Sequence, residues 1–372
     1  MSKLTICCPC LFGLESVLSG EIKRMGGEQI QTTDGKVTFQ GDFSMVIRAN
    51  IYLRTAERVL IVLGSFRAVT FTELFDQTAE LPFEDFIGSL DAFPVKGWSL
   101  NSQLHSIPDC QSIIKKAAVK RLGEAYRKSW FEESGPVHQI QFSIHKDQVS
   151  IMLDTSGAGL HKRGYRRNST LAPIKETLAA GIIDLAHIRR DDIIVDPFCG
   201  SGTFLIESAL HAMKIAPGMR RRFAAEQWGL VEDARWTEVR REAMEGIYRE
   251  SRFRGYGSDL DPEAVALSGE NAEKAGVSAR IRVKEADIAD FQPPEGRFSV
   301  ICNPPYGERL LEIREAEEIY RTMGRVFRQQ EGASYYIISP HEEFEKLFGR
   351  PADKRRKLYN GMIKCQLFMY FK

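Results

Sequence analysis

From Asp192 onward the chain alternates short apolar runs with helical patterns, and no other feature constrains its fold as tightly. Asp192–Asp196, Gly255–Asp259, Arg280–Glu285, Phe298–Cys302 and Ala333–Ser339 read as strands. Helical spacing of apolar residues covers 172–186, 203–213 and 262–275. Lys357–Tyr359 and Cys365–Phe371 read as final strands. Parallel strands need a crossover connection, so the alternation predicts a parallel, doubly wound sheet with helices on its faces. Such sheets bind ligands at the carboxyl ends of their strands.

The polar residues of this region fall at those ends. Asp196-Pro-Phe198-Cys-Gly200-Ser-Gly202-Thr203 follows the first strand. Its glycines let backbone approach a ligand closely, and a helix starting near Thr203 offers free N–H groups. The turn lacks the third glycine of a dinucleotide fingerprint and the Gly-Lys-Ser/Thr of a P-loop. Asp259 ends the second strand, where a carboxylate can accept from both hydroxyls of a ribose. Asp261, directly before Pro262, reads as a helix N-cap with proline at N1. Asp287 follows the third strand, and Asn303-Pro304-Pro305-Tyr306 follows the fourth. A residue before proline is pushed to extended geometry, so Asn303 and Pro304 form a stiff turn. The Asn303 side-chain oxygen and the Pro304 carbonyl can then accept both hydrogens of one planar NH2 group, and Tyr306 supplies a face for stacking. The pattern points to chemistry on the amine of a nucleobase or an amide.

The first 155 residues read differently. Leu4–Cys8, Lys36–Gln40, Arg58–Leu63, Trp98–Ser102, Val137–His145 and Gln148–Asp154 are strand-like, and Leu14–Met25 and Cys110–Tyr126 are helical, which fits a pair of small α+β modules. The pattern changes at the glycine-bearing segment Thr155–Gly159. The net charge of +1 rules out a polycation, but the basic residues are clustered. One cluster holds Lys115, Lys116, Lys120, Arg121, Arg127 and Lys128; a second holds His161, Lys162, Arg163, Arg166 and Arg167. Further clusters are Arg220–Arg222, which is better read as a solvated helix face, and Lys354–Lys357. Such patches suit a phosphate backbone. The seven cysteines are odd in number and scattered, so no disulfide framework is expected. Cys7, Cys8 and Cys10 read as a buried strand end rather than a metal site, and no metal is expected. No apolar run is long enough to span a bilayer and no signal peptide is evident, so a cytoplasmic protein is expected.

The Asp-Pro-Phe-x-Gly-x-Gly-Thr octapeptide resembles motif I of the class I S-adenosylmethionine-dependent methyltransferases. That resemblance implies a Rossmann-like α/β domain with a doubly wound seven-stranded sheet and S-adenosylmethionine as cofactor. It implies that Asp196, Phe198, Gly200, Gly202 and Thr203 surround the methionine part, with Asp196 orienting its amino group. By the same resemblance Asp259 takes the ribose, Asp287 accepts from the adenine amino group and Ile288 packs on its ring. Asn303 would border the cofactor and, with Pro304 and Tyr306, act in catalysis. In different relatives this last turn serves adenine N6, guanine N2 or protein glutamine amides.

Upstream residues carry a second resemblance. Ser102–Ala117 looks like the signature of a THUMP RNA-binding domain. Leu160–Arg166, Ser169–Ala179, and Ile215-Ala-Pro-Gly218 with Phe223 and Trp228 are similar to THUMP-containing RNA guanine-N2 methyltransferases. The resemblance covers essentially the whole chain. It implies a ferredoxin-like module over 1–60, a THUMP domain over 61–155, a basic linker over 156–168 and a methyltransferase domain over 169–372. It implies RNA as partner, with Lys115, Lys116, Arg163 and Arg166 as candidate RNA contacts, and methylation of a guanine N2 in 23S rRNA or alternatively in tRNA. By this resemblance the chain is expected to be shorter than the two-enzyme ribosomal relatives and to lack their second methyltransferase domain. A protein-glutamine or adenine-N6 methyltransferase is disfavoured by the THUMP-like segment. A non-catalytic RNA-binding assembly factor is disfavoured by the intact motifs.

Overall fold

The computed structural model describes residues 3–166, 174–307, 310–327 and 332–371. Through residue 154 the elements are β1 (Leu4–Pro9), α1 (Glu15–Met25), β2 (Glu28–Thr33), β3 (Lys36–Gly41), α2 (Phe43–Tyr52), β4 (Leu60–Arg67), α3 (Phe71–Ala79), β5 (Val95–Leu100), α4 (Ile107–Tyr126), β6 (Ile140–His145) and β7 (Gln148–Asp154). The remainder comprises α5 (Glu176–Leu185), β8 (Ile193–Asp196), α6 (Thr203–Ala212), α7 (Asp233–Glu245), β9 (Arg254–Asp259), α8 (Pro262–Ala275), β10 (Ile281–Glu285), β11 (Phe298–Cys302), α9 (Leu310–Val326), β12 (Ala333–Ser339), α10 (Phe344–Phe348), β13 (Lys354–Asn360) and β14 (Ile363–Tyr370). Arg167 and the first residues of the helix expected over 172–186 lie outside the described residues, as does the expected boundary at 168/169.

The amino-terminal strands form one sheet in the order β2-β3-β1-β4-β7-β6-β5. The two small modules are therefore joined through a shared strand. β4 pairs with β1 over Leu60 and Ile61 only, and with β7 along its whole length. Cys7 and Cys8 are buried on β1 with Cys10 just beyond it, and burial raises all three thiols.

The second sheet has the order β10-β9-β8-β11-β12-β14-β13. β10, β9, β8, β11 and β12 are parallel, β14 runs antiparallel to β12, and β13 antiparallel to β14. After β8 the chain builds outward through β9 and β10, then returns to place β11 on the other side of β8. The crevice at this reversal is where such a sheet receives a ligand. Local chemistry sets the crossovers. Asp261 caps α8 by accepting from Glu263 N at 2.8 Å, Pro262 opens the helix, and Gly276 closes it at φ 75°.

The two halves exchange parts of their cores. The segment between α6 and β9 leaves the carboxyl-terminal half and buries Met219, Phe223, Trp228, Trp236 and Val239 among Phe43, Val46 and Phe142 of the amino-terminal half. Trp228 stacks on His138 at 4.4 Å and donates to Val137 O at 3.0 Å. In return, Leu14 and Val17 enter the core around Leu178, Ile182 and Leu358.

Candidate active site

A cleft of about 950 Å³ opens at the carboxyl ends of β8, β9, β10 and β11. Asp196, Phe198, Gly200, Thr203, Asp259, Asp287, Ile288, Asn303, Pro304 and Tyr306 all line it. Of the residues expected at the cofactor, Gly202 alone stands off the wall. It takes φ 78°, and a Cβ there would come within 2.4 Å of Ser268 Oγ, so glycine is required for α6 to begin against α8.

The strand-end acids are held by main-chain donors. Asp196 is buried and accepts from Phe198 N at 3.1 Å. Burial pushes its carboxyl up to about 8, with the nearby Asp259 charge adding to the effect. Asp259 Oδ2 accepts from Gly200 N at 2.9 Å and Oδ1 from Asp261 N at 3.1 Å. Asp287 Oδ1 accepts from Ala289 N at 2.8 Å, which turns the chain so that Ile288 faces the cleft. Three acidic side chains are thus fixed along one wall. Phe198 and Ile288 add apolar surface, and Gly200 opens the backbone at φ 49°. That set of acceptors fits an amino acid ammonium, a ribose diol and a planar purine amine, the hydrogen-bond donors that S-adenosylmethionine presents.

The Asn303–Tyr306 turn is braced from behind. Tyr320, fully buried on α9, donates its hydroxyl to Pro305 O at 3.0 Å. Ser339, at the end of β12, donates to the Tyr320 oxygen at 3.3 Å, and burial pushes the Tyr320 phenol up to about 12. Asn360 Nδ2 donates to the Tyr306 hydroxyl oxygen at 3.2 Å, tying the turn to the end of β13. Gly307 has φ 48°, and a Cβ there would overlap the backbone of Glu312 at 2.4 Å. The sequence reading missed Tyr320, Ser339 and Asn360. It also missed Leu260, Glu312 and Ile319 on the cleft wall, and Ile174, which lies within the Ser169–Ala179 motif but was given no site role.

The basic residues proposed for RNA separate into distinct environments. Arg163 does not present itself to a phosphate. Its side chain is 2% exposed, lies 3.4 Å from the Glu207 carboxylate, and donates to Leu160 O and Arg54 O at 2.7 and 2.5 Å. A buried guanidinium needs these partners, so it is committed to holding the 156–166 segment onto α6. Arg166 pairs with Glu176 at 2.8 Å and donates to Thr203 Oγ1 at 3.3 Å, so it too is engaged inside, behind the cleft wall. Lys115 pairs with Glu133 at 2.6 Å and sits 3.5 Å over the Phe93 ring. Lys116 is exposed on α4. Among the described residues no group of three His, Cys, Asp or Glu side chains is placed to hold a metal ion, and no helix is long and apolar enough to cross a membrane.

A parallel sheet reversed at β8/β11, with acids on successive strand ends and an Asn-Pro-Pro-Tyr turn, defines a class I methyltransferase whose methyl donor is S-adenosylmethionine. The chain belongs to the family described as RMKL-like, methyltransferase domain, whose model matches residues 163–368. An RlmL ferredoxin-like domain matches residues 5–60 and a THUMP domain residues 68–154. The chain is 42% identical to the Bacillus subtilis protein named "Putative RNA methyltransferase YpsC" over 100% of this chain and 97% of that one. It is 31% identical to the ribosomal RNA large subunit methyltransferase K/L of Syntrophotalea carbinolica, covering 96% of this chain but only 52% of that longer protein. The solved structure of SMU.472 complexed with SAH superposes with a TM-score of 0.94 at 39% identity, over 100% of this chain and 98% of that one.

Proposed function

We propose that this protein transfers a methyl group from S-adenosylmethionine to the exocyclic N2 of a guanine in RNA, in 23S rRNA or alternatively in tRNA, and does so in the cytoplasm. The observation that carries the reading is the meeting of Asp196, Asp259, Asp287 and Asn303–Tyr306 in one cleft. The THUMP domain and the relatives named as RNA methyltransferases support RNA as substrate.

In this reading Asp196 faces the donor's ammonium, Asp259 its ribose and Asp287 its adenine amine, with Ile288 against the ring. The donor supplies a sulfonium methyl group that is already an activated electrophile. The chain's task is then orientation. The Asn303 oxygen and the Pro304 carbonyl accept the two N2 hydrogens, favour a pyramidal nitrogen and aim its lone pair. Tyr306 stacks on a base taken out of its helix. Because these acceptors sit in a rigid turn, they are organised before the reaction begins. The proton leaves during or after transfer, and no charged base at Asn303 is required. Lys116 is a candidate phosphate contact.

Incubation with tritiated S-adenosylmethionine and RNA, DNA or protein tests the proposal. Label in RNA that digests to N2-methylguanosine is the expected result. N6-methyladenosine would refute the choice of base, and label in protein alone would refute RNA as substrate.

A further inference from the structure

The basic cluster at 354–357 lies on a hairpin that the function above does not use. β13 is antiparallel to β14, which is antiparallel to β12, so β13 ends at the same edge of the sheet as the parallel strands. The turn at Asn360–Ile363 therefore sits at the cleft edge, and the Asn360–Tyr306 hydrogen bond joins it to the stacking residue. At this turn Met362 is 97% exposed. A single exposed apolar side chain is ordinary on a protein surface; what distinguishes this one is its place at the tip of the hairpin that Asn360 ties to Tyr306.

The rest of the hairpin is dressed for a polyanion. Arg355 is engaged by Glu345, and Arg356 donates to Gly13 O and Ser16 Oγ at 2.8 Å each. Lys357 and Lys364 are exposed and make no ion pair among the described residues. The register pairs Lys357 with Gln366 and Tyr359 with Lys364, so these side chains share one face of the hairpin. Lys357 Nζ lies 5.3 Å from the Tyr359 ring centre, and Phe12 packs edge-on against that ring at 6.0 Å with 54% of its surface exposed. Cations interleaved with aromatic rings suit a nucleic acid strand.

We propose that the β13–β14 hairpin receives structured RNA beside the cleft, with Lys357 and Lys364 on its phosphates and Met362 entering the base stack where the guanine has left it. The inference rests on the RNA guanine reading above. Unstacked bases leave a gap that an apolar side chain fills, and Met is among the residues that serve as such wedges. The tip is anchored to Tyr306, so extrusion of the base and its capture would occur on one connected element.

The test uses the full chain, tritiated S-adenosylmethionine, and total RNA from a strain lacking this protein, refolded with magnesium. Met362→Ser should lower kcat by about tenfold while KM for RNA stays within about twofold, because the wedge acts on base extrusion after docking. Met362→Leu should restore most of the rate. The Lys357→Ala/Lys364→Ala double variant should lower the slope of log affinity against log salt by about 2 and leave S-adenosylmethionine affinity unchanged. Wild-type turnover by Met362→Ser overturns the wedge, and an unchanged salt slope overturns the docking surface. If the wild-type protein labels RNA while these variants match it, only this inference falls. If it labels no RNA, the function proposed above falls and takes this inference with it.

Discussion

The Asp259 carboxylate accepts a hydrogen bond from the backbone N–H of Gly200 at 2.9 Å, joining the end of β9 to the glycine turn that follows β8. One side chain thus shapes two walls of the cleft. Removing it would cost the cleft both an acceptor for the cofactor and the support of the turn. Asp259→Ala is expected to weaken S-adenosylmethionine binding by about 10- to 100-fold, the range for losing a hydrogen bond to a charged group. Asp259→Asn keeps an oxygen for Gly200 N and should lose less. Titration calorimetry of both variants checks the order.

Asn303 stands at the junction of cofactor and substrate walls but makes its proposed contribution to the substrate amine. Asn303→Ala is expected to retain cofactor affinity and lose roughly 100-fold or more in turnover, comparable to deleting one preorganised polar group. Single-turnover kinetics with saturating cofactor separates the two effects. Unchanged turnover would remove Asn303 from the mechanism.

Asp196 gives the free protein a pH dependence of defined sign. Its carboxyl is raised from 3.8 to about 8, mainly by burial and secondarily by Asp259. Between those values the folded state holds a proton that the unfolded state releases, so this group's contribution to stability falls as pH rises from about 4 to about 8. Asp196→Asn should flatten that decline in denaturation curves measured without cofactor. A cation bound beside Asp196 favours the carboxylate, so cofactor binding near neutral pH should release up to about one proton. Calorimetry in buffers of different ionisation enthalpy would detect it, and equal heats in all buffers would count against Asp196 as the cation's partner.

Arg163 and Lys116 should behave oppositely. Arg163→Ala leaves Glu207 buried without its guanidinium and is expected to cost about 3–5 kcal/mol of stability, measured by chemical denaturation. Lys116→Ala should leave stability within about 0.5 kcal/mol and lower the salt slope of RNA binding by about 1. If Arg163→Ala proves fully stable yet defective in RNA binding, the buried assignment is wrong.

The legible parts of this molecule are those whose chemistry is local. The strand-end acids, the glycine turn and the cap at Asp261–Pro262 are short stretches in which backbone geometry dictates residue type, and all but Gly202 of the expected cofactor set line the cleft. Helix α3 carries a signal readable in sequence, since Thr70 and Glu73 form a capping box. α2 is mostly apolar and has only Ser44 and Arg48 to mark its outer face, with the polar Asn50 buried, so its period is faint. No acid adjoins Arg163 in sequence, so its burial is not legible there; its partner Glu207 arrives from α6. The bracing of Pro305 by Tyr320 is likewise a tertiary contact between separate elements.

The exchanged cores have a consequence for how this architecture can be rearranged. Trp228 and Trp236 are encoded within the methyltransferase half but fold into the amino-terminal half, while Leu14 does the reverse. A hybrid joined at residue 155 would bring a THUMP half missing one wall and a methyltransferase half bearing an orphaned greasy flap. The unit that can be transplanted intact is discontinuous along the chain, so recombination that respects the apparent domain order would break the molecule, and the two halves are constrained to change together.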